Sequence, residues 1–496
     1  MIVVNAPLFS MLVDGGQILA MIEDERVSRT KEPNGQFSND WCTNIAEKLG
    51  AGVGELIPVG ASEELADRED PHHLQHAVSA YIQSPFEDAS ILVIDGSDQE
   101  SKFAVGIFDA RGDEIRLVKR YPVEYSLGIL YTAATCFSGL TNCGHNAKHN
   151  VGKLMGLSSY CSTDFYLHPE HYLQVNARTG DIEPGSLTYE DVLRLFTHKF
   201  GLRQTEKFSF EYASIAGYTQ HLFEKSVFNL LNFMWNNLPS RNLIITGGCG
   251  LNCVTNGKVL RSGFWENLYV PPLCDDAGIT LGSAYMQGLI KAPKRTFVYN
   301  SIKHGLPKGI PYREVSAEAV ASSLKMGVPV AWFEGGSEYG PRALCHRSIL
   351  GNPEYAWMSF RINQTKNRDY WRPLAPVVLD THFSKVFISS GYKEIHKYML
   401  ATEFLYSKAI AKYPAIVAPN SSSRPQVLVE DNKETATLYR LMKDYDLPVL
   451  INTSLNDRNE PICETVEEAY FFCEKALIPL VMVHQGKLYI LGGHDQ

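Results

Sequence analysis

The feature that most constrains this chain is a pair of short, continuous apolar runs that each stop at glycine. Ile91-Leu92-Val93-Ile94 ends on Asp95-Gly96, and Leu243-Ile244-Ile245-Thr246 ends on Gly247-Gly248. An apolar run without polar alternation belongs to a strand covered on both faces. The turn that follows delivers a carboxylate, or bare backbone, to the end of that strand. Helical spacing of apolar residues over Ser126–Leu140 and Glu211–Trp235 supplies the covering layers. The pattern predicts an α/β fold. Ala317–Met326 reads as a helix, and Val328–Phe333 and Pro448–Asn452 read as further strands. Between the two sets, Lys291 to Pro311 is rich in proline, glycine and basic residues, which marks a linker. Two α/β domains are predicted, residues 1–298 and 299–496.

At 496 residues and 45% hydrophobic content, the chain is long enough for two such cores. A net charge of -9 gives no general attraction toward nucleic acid or acidic lipid. No apolar run reaches the length of a membrane span. Met1–Ser10 reads as a first strand; it has neither the basic segment nor the small-residue cleavage site of a signal peptide. The ten cysteines are scattered and form no C-x-x-C pair. That excludes a zinc ribbon or redox pair and predicts free thiols in a reducing cytoplasm.

Asp70-Pro71 reads as the start of a helix, with Asp70 as N-cap and Pro71 in the first position. His72 and His76 then stand four apart on one helix face. Such a pair can grip one metal ion, with a strand-end carboxylate such as Asp95 completing the set. Two imidazoles and a carboxylate with open positions suit iron, zinc or manganese. A helix start that merely happens to be histidine-rich is the plain alternative. Three glycine turns link strands to helices: Asp95-Gly96-Ser97, Gly247 to Asn252, and Asp275-Asp276-Ala277-Gly278. Backbone N–H groups at such turns can meet a phosphate, and glycine lets a nucleotide approach closely. One turn alone is an ordinary connection; three beside a histidine pair point to nucleotide chemistry.

The ordered motifs resemble a known family, the O-carbamoyltransferases of nodulation factors and of antibiotics such as tobramycin and cephamycin. Glu23 to Arg29 resembles the family's E-E-E-R-F-S-R run, and His72 to Ala77 its H-H-L-A-H-A. Lys153 to Leu157 resembles K-V-M-G-L; Gly247 to Asn256 resembles G-G-C-A-L-N-C-x-x-N; Asp276-Ala277-Gly278 matches D-A-G. In the second half, Glu338 to Leu344 is similar to E-F-G-P-R-A-L, and His346 to Leu350 stands where N-R-S-I-L is usual. Lys366 to Pro373 resembles K-x-R-x-x-x-R-P, and Asn452 to Arg458 resembles N-T-S-F-N-x-R. The chain also departs from the pattern. The first phosphate turn is shortened around Pro7–Ser10, Cys345 and Asn459 replace glycines, and Asn420 to Arg424 only partly resembles D-G-T-A-R.

The resemblance implies an actin/sugar-kinase-like N-terminal domain and a YrdC-like C-terminal domain. It implies that the second domain turns ATP, with magnesium, and carbamoyl phosphate into O-carbamoyladenylate. Arg342, Arg347, Lys366, Arg368, Arg372, Asn452, Thr453 and Arg458 are the residues it assigns to those substrates. A doubly charged phosphate ester calls for several fixed cations. The first domain would hold the adenylate near Lys153, Gly247, Gly248 and Asn252. There it would pass the carbamoyl group to a hydroxyl beside a metal held by His72, His76, Asp95 and Asp276. The acceptor would be a small natural product or the 5-hydroxymethylcytosine base of DNA, and a homodimer is compatible. A threonylcarbamoyl-transfer protein acting on tRNA and a non-catalytic nucleotide-binding regulator are the competing readings.

Overall fold

The two apolar runs become adjacent inner strands of one sheet, and the strands expected at Val328–Phe333 and Pro448–Asn452 become inner strands of another. The computed structural model describes residues 1–6, 8–31, 36–49, 53–58, 71–96, 102–141, 150–161, 172–205, 207–389 and 391–492. Asp70 and Ser97 lie outside the described residues, and with them the N-cap and part of one phosphate turn. The architecture is mixed α/β throughout. Among the described residues no helix is long and apolar enough to cross a membrane.

Contacts group the chain into two compact units. One joins Met1–Asp14 and Ile18–Leu56 to Phe297–Gln496; the other takes Gly15–Gln17 and Ile57–Thr296. This corrects a linear division at residue 298: the first strands pack with the C-terminal half. The expected single strand Met1–Ser10 is instead β1 (Ile2–Ala6) and the start of β2 (Phe9–Asp14). These pair in register from Ile2 with Val13 to Ala6 with Phe9. With β3 (Gln17–Glu23) and β4 (Glu55–Pro58) they form a sheet in the order β3-β2-β1-β4. The helix Gln36–Lys48 covers it through Cys42, Ile45 and Ala46.

Residues Ile57–Thr296 build the second sheet from β5 (Asp88–Ile94), β6 (Phe103–Arg111), β7 (Glu114–Pro122), β8 (Asn242–Thr246) and β9 (Asn267–Tyr269). The order is β7-β6-β5-β8-β9. Strands β5, β8 and β9 are parallel, and β6 and β7 return antiparallel. The apolar run Ile91–Ile94 is fully buried at the centre, as its composition requires. Both glycine turns therefore emerge from adjacent parallel strands at the same end of the sheet, the usual place for a ligand in such sheets.

The C-terminal half carries β10 (Tyr312–Val315), β11 (Val330–Glu334), β12 (Arg347–Gly351), β13 (Ala375–Leu379), β14 (Glu403–Phe404), β15 (Ser422–Ser423), β16 (Gln426–Leu428), β17 (Val449–Ser454), β18 (Leu480–His484) and β19 (Lys487–Leu491). Eight of these form one mixed sheet, β10-β19-β18-β11-β12-β17-β13-β16, and β14 pairs with β15. One face packs Met358, Ile362, Val466, Ala469 and Phe472; the other packs Val320, Leu324, Leu438, Leu441 and Met442. Ser316 caps the helix Ala317–Lys325 by accepting from the Ala319 N–H.

Candidate active site

The histidine pair sits on the helix Pro71–Gln83, one turn apart, at the strand ends of the five-stranded sheet. His72 is part-buried and His76 is fully buried. His72 Nε2 stands 2.8 Å from Asp95 Oδ2 and 3.7 Å from Asp276 Oδ1. His76 Nε2 is 3.5 Å from the same oxygen of each carboxylate. One donor atom from each of the four lies within 4.8 Å of the others. His76 Nε2 and Asp276 Oδ1 are buried and make no hydrogen bond among the described residues. Two orphaned polar atoms facing each other fit a cation between them. Two imidazoles with two carboxylates make the donor set of a divalent first-row metal. Burial works against charge on the imidazoles, but Asp95 and Asp276 outweigh it, raising His72 and carrying His76 up to about 10. Burial alone would raise Asp95; the His72 hydrogen bond and the charge of the two imidazoles override it and hold the carboxyl well below its usual range.

Local structure fixes these groups. A Cβ at Gly282, on the helix Ile279–Met286, would stand 2.1 Å from the Gln75 carbonyl oxygen. The helix after Asp276 is thus in backbone contact with the histidine helix. Asp275 caps the short turn Asp276–Gly278 by accepting from the Ala277 N–H at 3.3 Å. Asp95 faces two ways. Its Oδ2 meets His72, and its Oδ1 accepts the Gly248 N–H at 3.1 Å. Gly247 takes φ +84°, and a Cβ there would fall 2.3 Å from the Ile94 carbonyl oxygen, so only glycine fits. The glycine turn and the histidine cluster are therefore joined through one carboxylate.

Asn252 and Lys153 are placed differently. Asn252 Oδ1 accepts from the Thr255 N–H and caps the helix Cys253–Ser262, while its Nδ2 donates to Gln220. Gln220 also donates to Glu224 and Thr255 and accepts from the Tyr131 hydroxyl. That buried network sets the far end of the glycine turn. Lys153 Nζ donates to the Leu140 carbonyl at 3.2 Å.

In the other unit, the basic motifs converge on strands β12 and β17 and the turn Lys366–Arg372. Lys366 is a buried cation, and Arg368 and Arg372 are part-buried. Burial and neighbouring arginines push all three below their ordinary values, Arg372 to about 10. Arg368 feels Arg372, Arg424 and Arg342, and its Nε is buried with no hydrogen-bond partner among the described residues. Its Nη1 reaches Thr453 Oγ1 at 3.5 Å. Lys366 Nζ donates to the Ser454 carbonyl and to Asn456 Oδ1 at 2.7 Å, which fixes the turn after β17. Asn363 Nδ2 donates to the Tyr370 and Arg372 carbonyls at 3.2 and 3.0 Å and so sets that turn. Arg458 is half-exposed and stands 3.8 Å from Asp369. Packed like charges of this kind are what a multiply charged anion would neutralise.

The structure sets Arg347 apart from this group. Its five N–H donors all end on carbonyl oxygens of Glu334, Gly335, His346 and Glu464, and it lies over the Phe333 ring. It holds the loop together and has no donor left for a phosphate. The reading from sequence missed Arg424, although the Asn420 to Arg424 motif carried it. It also missed what the Glu23 to Arg29 run does. Glu23 accepts the Gly340 N–H at 2.6 Å, and Arg26 donates to the Glu338 and Gly340 carbonyls at 3.1 and 2.9 Å. Arg29 donates to Pro461 and Ile462. Glu338 in turn accepts from the Leu344, His346 and Arg347 N–H groups. These contacts fix the loop that carries Arg342.

Comparison with known proteins says what class of protein carries this arrangement. Residues 38–285 match the family described as Carbamoyltransferase N-terminus, and residues 321–488 match Carbamoyltransferase C-terminus. The chain belongs to the carbamoyltransferase family and is an enzyme of that class. It is 26% identical to a nodulation protein, NolNO, of Sinorhizobium fredii, over 93% of this chain and 75% of that one. It is 31% identical to an uncharacterised protein of Synechocystis, over 80% of this chain and 72% of that one. Among solved structures, the activator of the 2-hydroxyisocaproyl-CoA dehydratase of Clostridium difficile is 13% identical. It covers 58% of this chain and 97% of its own, with a TM-score of 0.33. A score that low carries no argument.

Proposed function

We propose that the enzyme is an ATP-dependent O-carbamoyltransferase working in two steps on its two units. The reading of the folds is that the five-stranded sheet, with its antiparallel β6–β7 edge, is half of an actin/sugar-kinase-like domain. The eight-stranded mixed sheet is the YrdC-like domain. In that second unit Arg342, Lys366, Arg368, Arg372, Arg424 and Arg458 bind carbamoyl phosphate and the phosphates of ATP with magnesium, and O-carbamoyladenylate is made there. In the first unit the turn Gly247–Asn252 receives the adenylate, and His72, His76, Asp95 and Asp276 hold an iron, manganese or zinc ion. Such an ion supplies Lewis-acid polarisation of a carbonyl. Asp95 fixes both the imidazole of His72 and the Gly248 N–H, so that a nucleotide on the glycine turn lies beside the histidine cluster. The acceptor is a hydroxyl group, for which a small-molecule alcohol is the simplest candidate. The basic residues Lys294 and Lys303, which a DNA groove would use, face Glu87 and Glu434 at 3.9 and 3.7 Å.

The observation that carries this reading is the four-residue cluster joined to a glycine turn through Asp95. The test is to incubate the enzyme with ATP and carbamoyl phosphate and measure AMP and pyrophosphate, then add candidate alcohols and follow their mass. ATP left intact in the presence of carbamoyl phosphate would remove the ATP-dependent mechanism.

A further inference from the structure

His346 stands just before strand β12 and is fully buried. Both of its ring nitrogens face main-chain carbonyl oxygens. Nδ1 is 2.6 Å from the Gly336 oxygen, and Nε2 is 3.0 Å from the Glu434 oxygen. A neutral imidazole has one N–H and one lone pair; only the imidazolium has two N–H groups. The shorter contact takes the N–H of the neutral ring, which leaves the lone pair against the Glu434 carbonyl. A carbonyl accepts and cannot donate, so that contact is a bond only when the ring carries a second proton.

Packing keeps the ring in this conflict. It stacks on Tyr299 with centroids 3.7 Å apart and planes 17° apart. The Tyr299 hydroxyl donates to the Leu344 carbonyl at 2.8 Å, which fixes the phenol in place. A Cβ at Gly335 would stand 3.1 Å from His346 Cε1, so that turn closes over the edge of the ring. The charges around it are mixed. Glu338, whose carboxylate takes the His346 main-chain N–H at 3.4 Å, favours the cation, and Arg347 opposes it. The Glu434 carboxylate faces Lys303 at 3.7 Å. Glu334, next to Gly335, has its carboxyl raised to about 7, and Tyr299 stays a neutral phenol. Burial is the largest influence and holds the imidazole below its usual value of 6.5. The ring is thus neutral at physiological pH and sits where only its cation is fully bonded.

We propose that His346 is a proton-operated clip: a proton taken up from solvent in mild acid closes an Nε2–H bond to the Glu434 carbonyl and fastens the segment 429–435 to the turn 335–338. Above that range the bond is absent and the segment is free to lift. The segment joins β16, which follows Arg424, to the helix Ala436–Asp444. The turn leads into the loop that carries Arg342. The clip therefore ties together the two flanks from which Arg342 and Arg424 enter the basic cluster.

The experiment is hydrogen exchange of the full chain, read by mass spectrometry over residues 429–435. It runs from about pH 5 to about pH 8, the range in which histidine titrates, with the intrinsic effect of pH on exchange divided out. In the wild type, exchange should slow about tenfold or more as the pH falls below 6.5, the strength of a hydrogen bond from a charged group. His346→Gln puts an uncharged N–H near the place of Nε2 and should hold the segment at every pH. His346→Asn puts one near the place of Nδ1 and should hold it at none. Global stability should move the other way. The unfolded chain takes the proton more readily than the buried ring, so wild-type stability relative to His346→Asn should fall as the pH drops through 6.5. Local fastening with global loss is a pairing that a merely structural histidine would not give. Glu334 titrates in all three proteins and cancels in the comparison. Wild-type exchange that does not vary with pH overturns the inference, whether or not the variants fold. So does an equal slowing in a folded His346→Asn protein, which would assign the effect to Glu334 or another group.

Discussion

His76 is nearly inaccessible, and its Nε2 faces two carboxylate oxygens at 3.5 Å. His76→Ala should remove bound metal and abolish carbamoyl transfer while leaving AMP and pyrophosphate production intact; elemental analysis and the two half-reaction assays check this. Full metal occupancy in that variant would sink the ligand assignment. Arg372→Ala should do the converse. Losing one charge-assisted contact to a phosphate in a buried site costs on the order of 2 kcal/mol, or about thirtyfold in the first half-reaction. Transfer from supplied carbamoyladenylate should continue. A third residue gives a pH signature. Glu334 accepts from the Trp332 indole at 3.0 Å, and burial raises its carboxyl to about 7. A carboxyl raised in the folded state binds its proton more tightly there than in the unfolded chain. Wild-type stability should therefore fall as pH rises from about 4.5 to about 7. Glu334→Gln, which keeps an acceptor for Trp332, should remove that slope and gain roughly 2–3 kcal/mol on the wild type at pH 8. Chemical denaturation across that pH range, with parallel curves for the two proteins, would contradict the assignment.

Single elements position more than one of these groups at once. The helices Pro71–Gln83 and Ile279–Met286 touch through backbone at Gly282, and the pair carries three of the four cluster residues on or beside it. Gly282→Ala should force the helices apart, because the atom met at 2.1 Å is a carbonyl oxygen of the opposing helix, which cannot rotate away. Overpacking of this kind costs roughly 1–3 kcal/mol. Thermal melting should show that loss, and metal affinity should fall with it. A variant as stable and as well loaded as the wild type would mean the helix contact is looser than drawn. The histidine face was legible in sequence because i and i+4 must share a side of a helix, and the run Ile91–Ile94 placed Asp95 at a strand end. Asp276 was not legible that way: nothing in local spacing says which of several glycine turns comes back to a given helix. The basic motifs were legible as charge but not as environment. Arg347 and Arg372 look alike in sequence, yet one is saturated by main-chain carbonyls and the other is crowded by cations.

At the scale of the whole molecule, the grouping of the first 56 residues is the finding that sequence order hides. A split at the proline-rich stretch is natural when linkers are read from composition. Composition, however, reports where a chain is flexible, not which distant segment it packs on. The Glu23, Arg26 and Arg29 contacts to the 338–340 and 461–462 segments span more than 300 residues of chain. Arg26 is 1% exposed and spends its Nη2 on two carbonyls, while Glu23 takes the Gly340 N–H. Removing the first segment would leave those loop groups without partners, at about 1–3 kcal/mol for each that stays buried. It would also uncover Ile302, which packs against the apolar cluster of that segment. A polypeptide of residues 297–496 made alone should therefore be poorly soluble or only loosely folded, and co-expression with residues 1–56 should recover a cooperative melt. Binding of inorganic phosphate, followed by calorimetry, should return only in the co-expressed pair, because the loop bearing Arg342 is held from the first segment. Cooperative folding and phosphate binding by residues 297–496 alone would show that the early motif serves some purpose other than holding that loop.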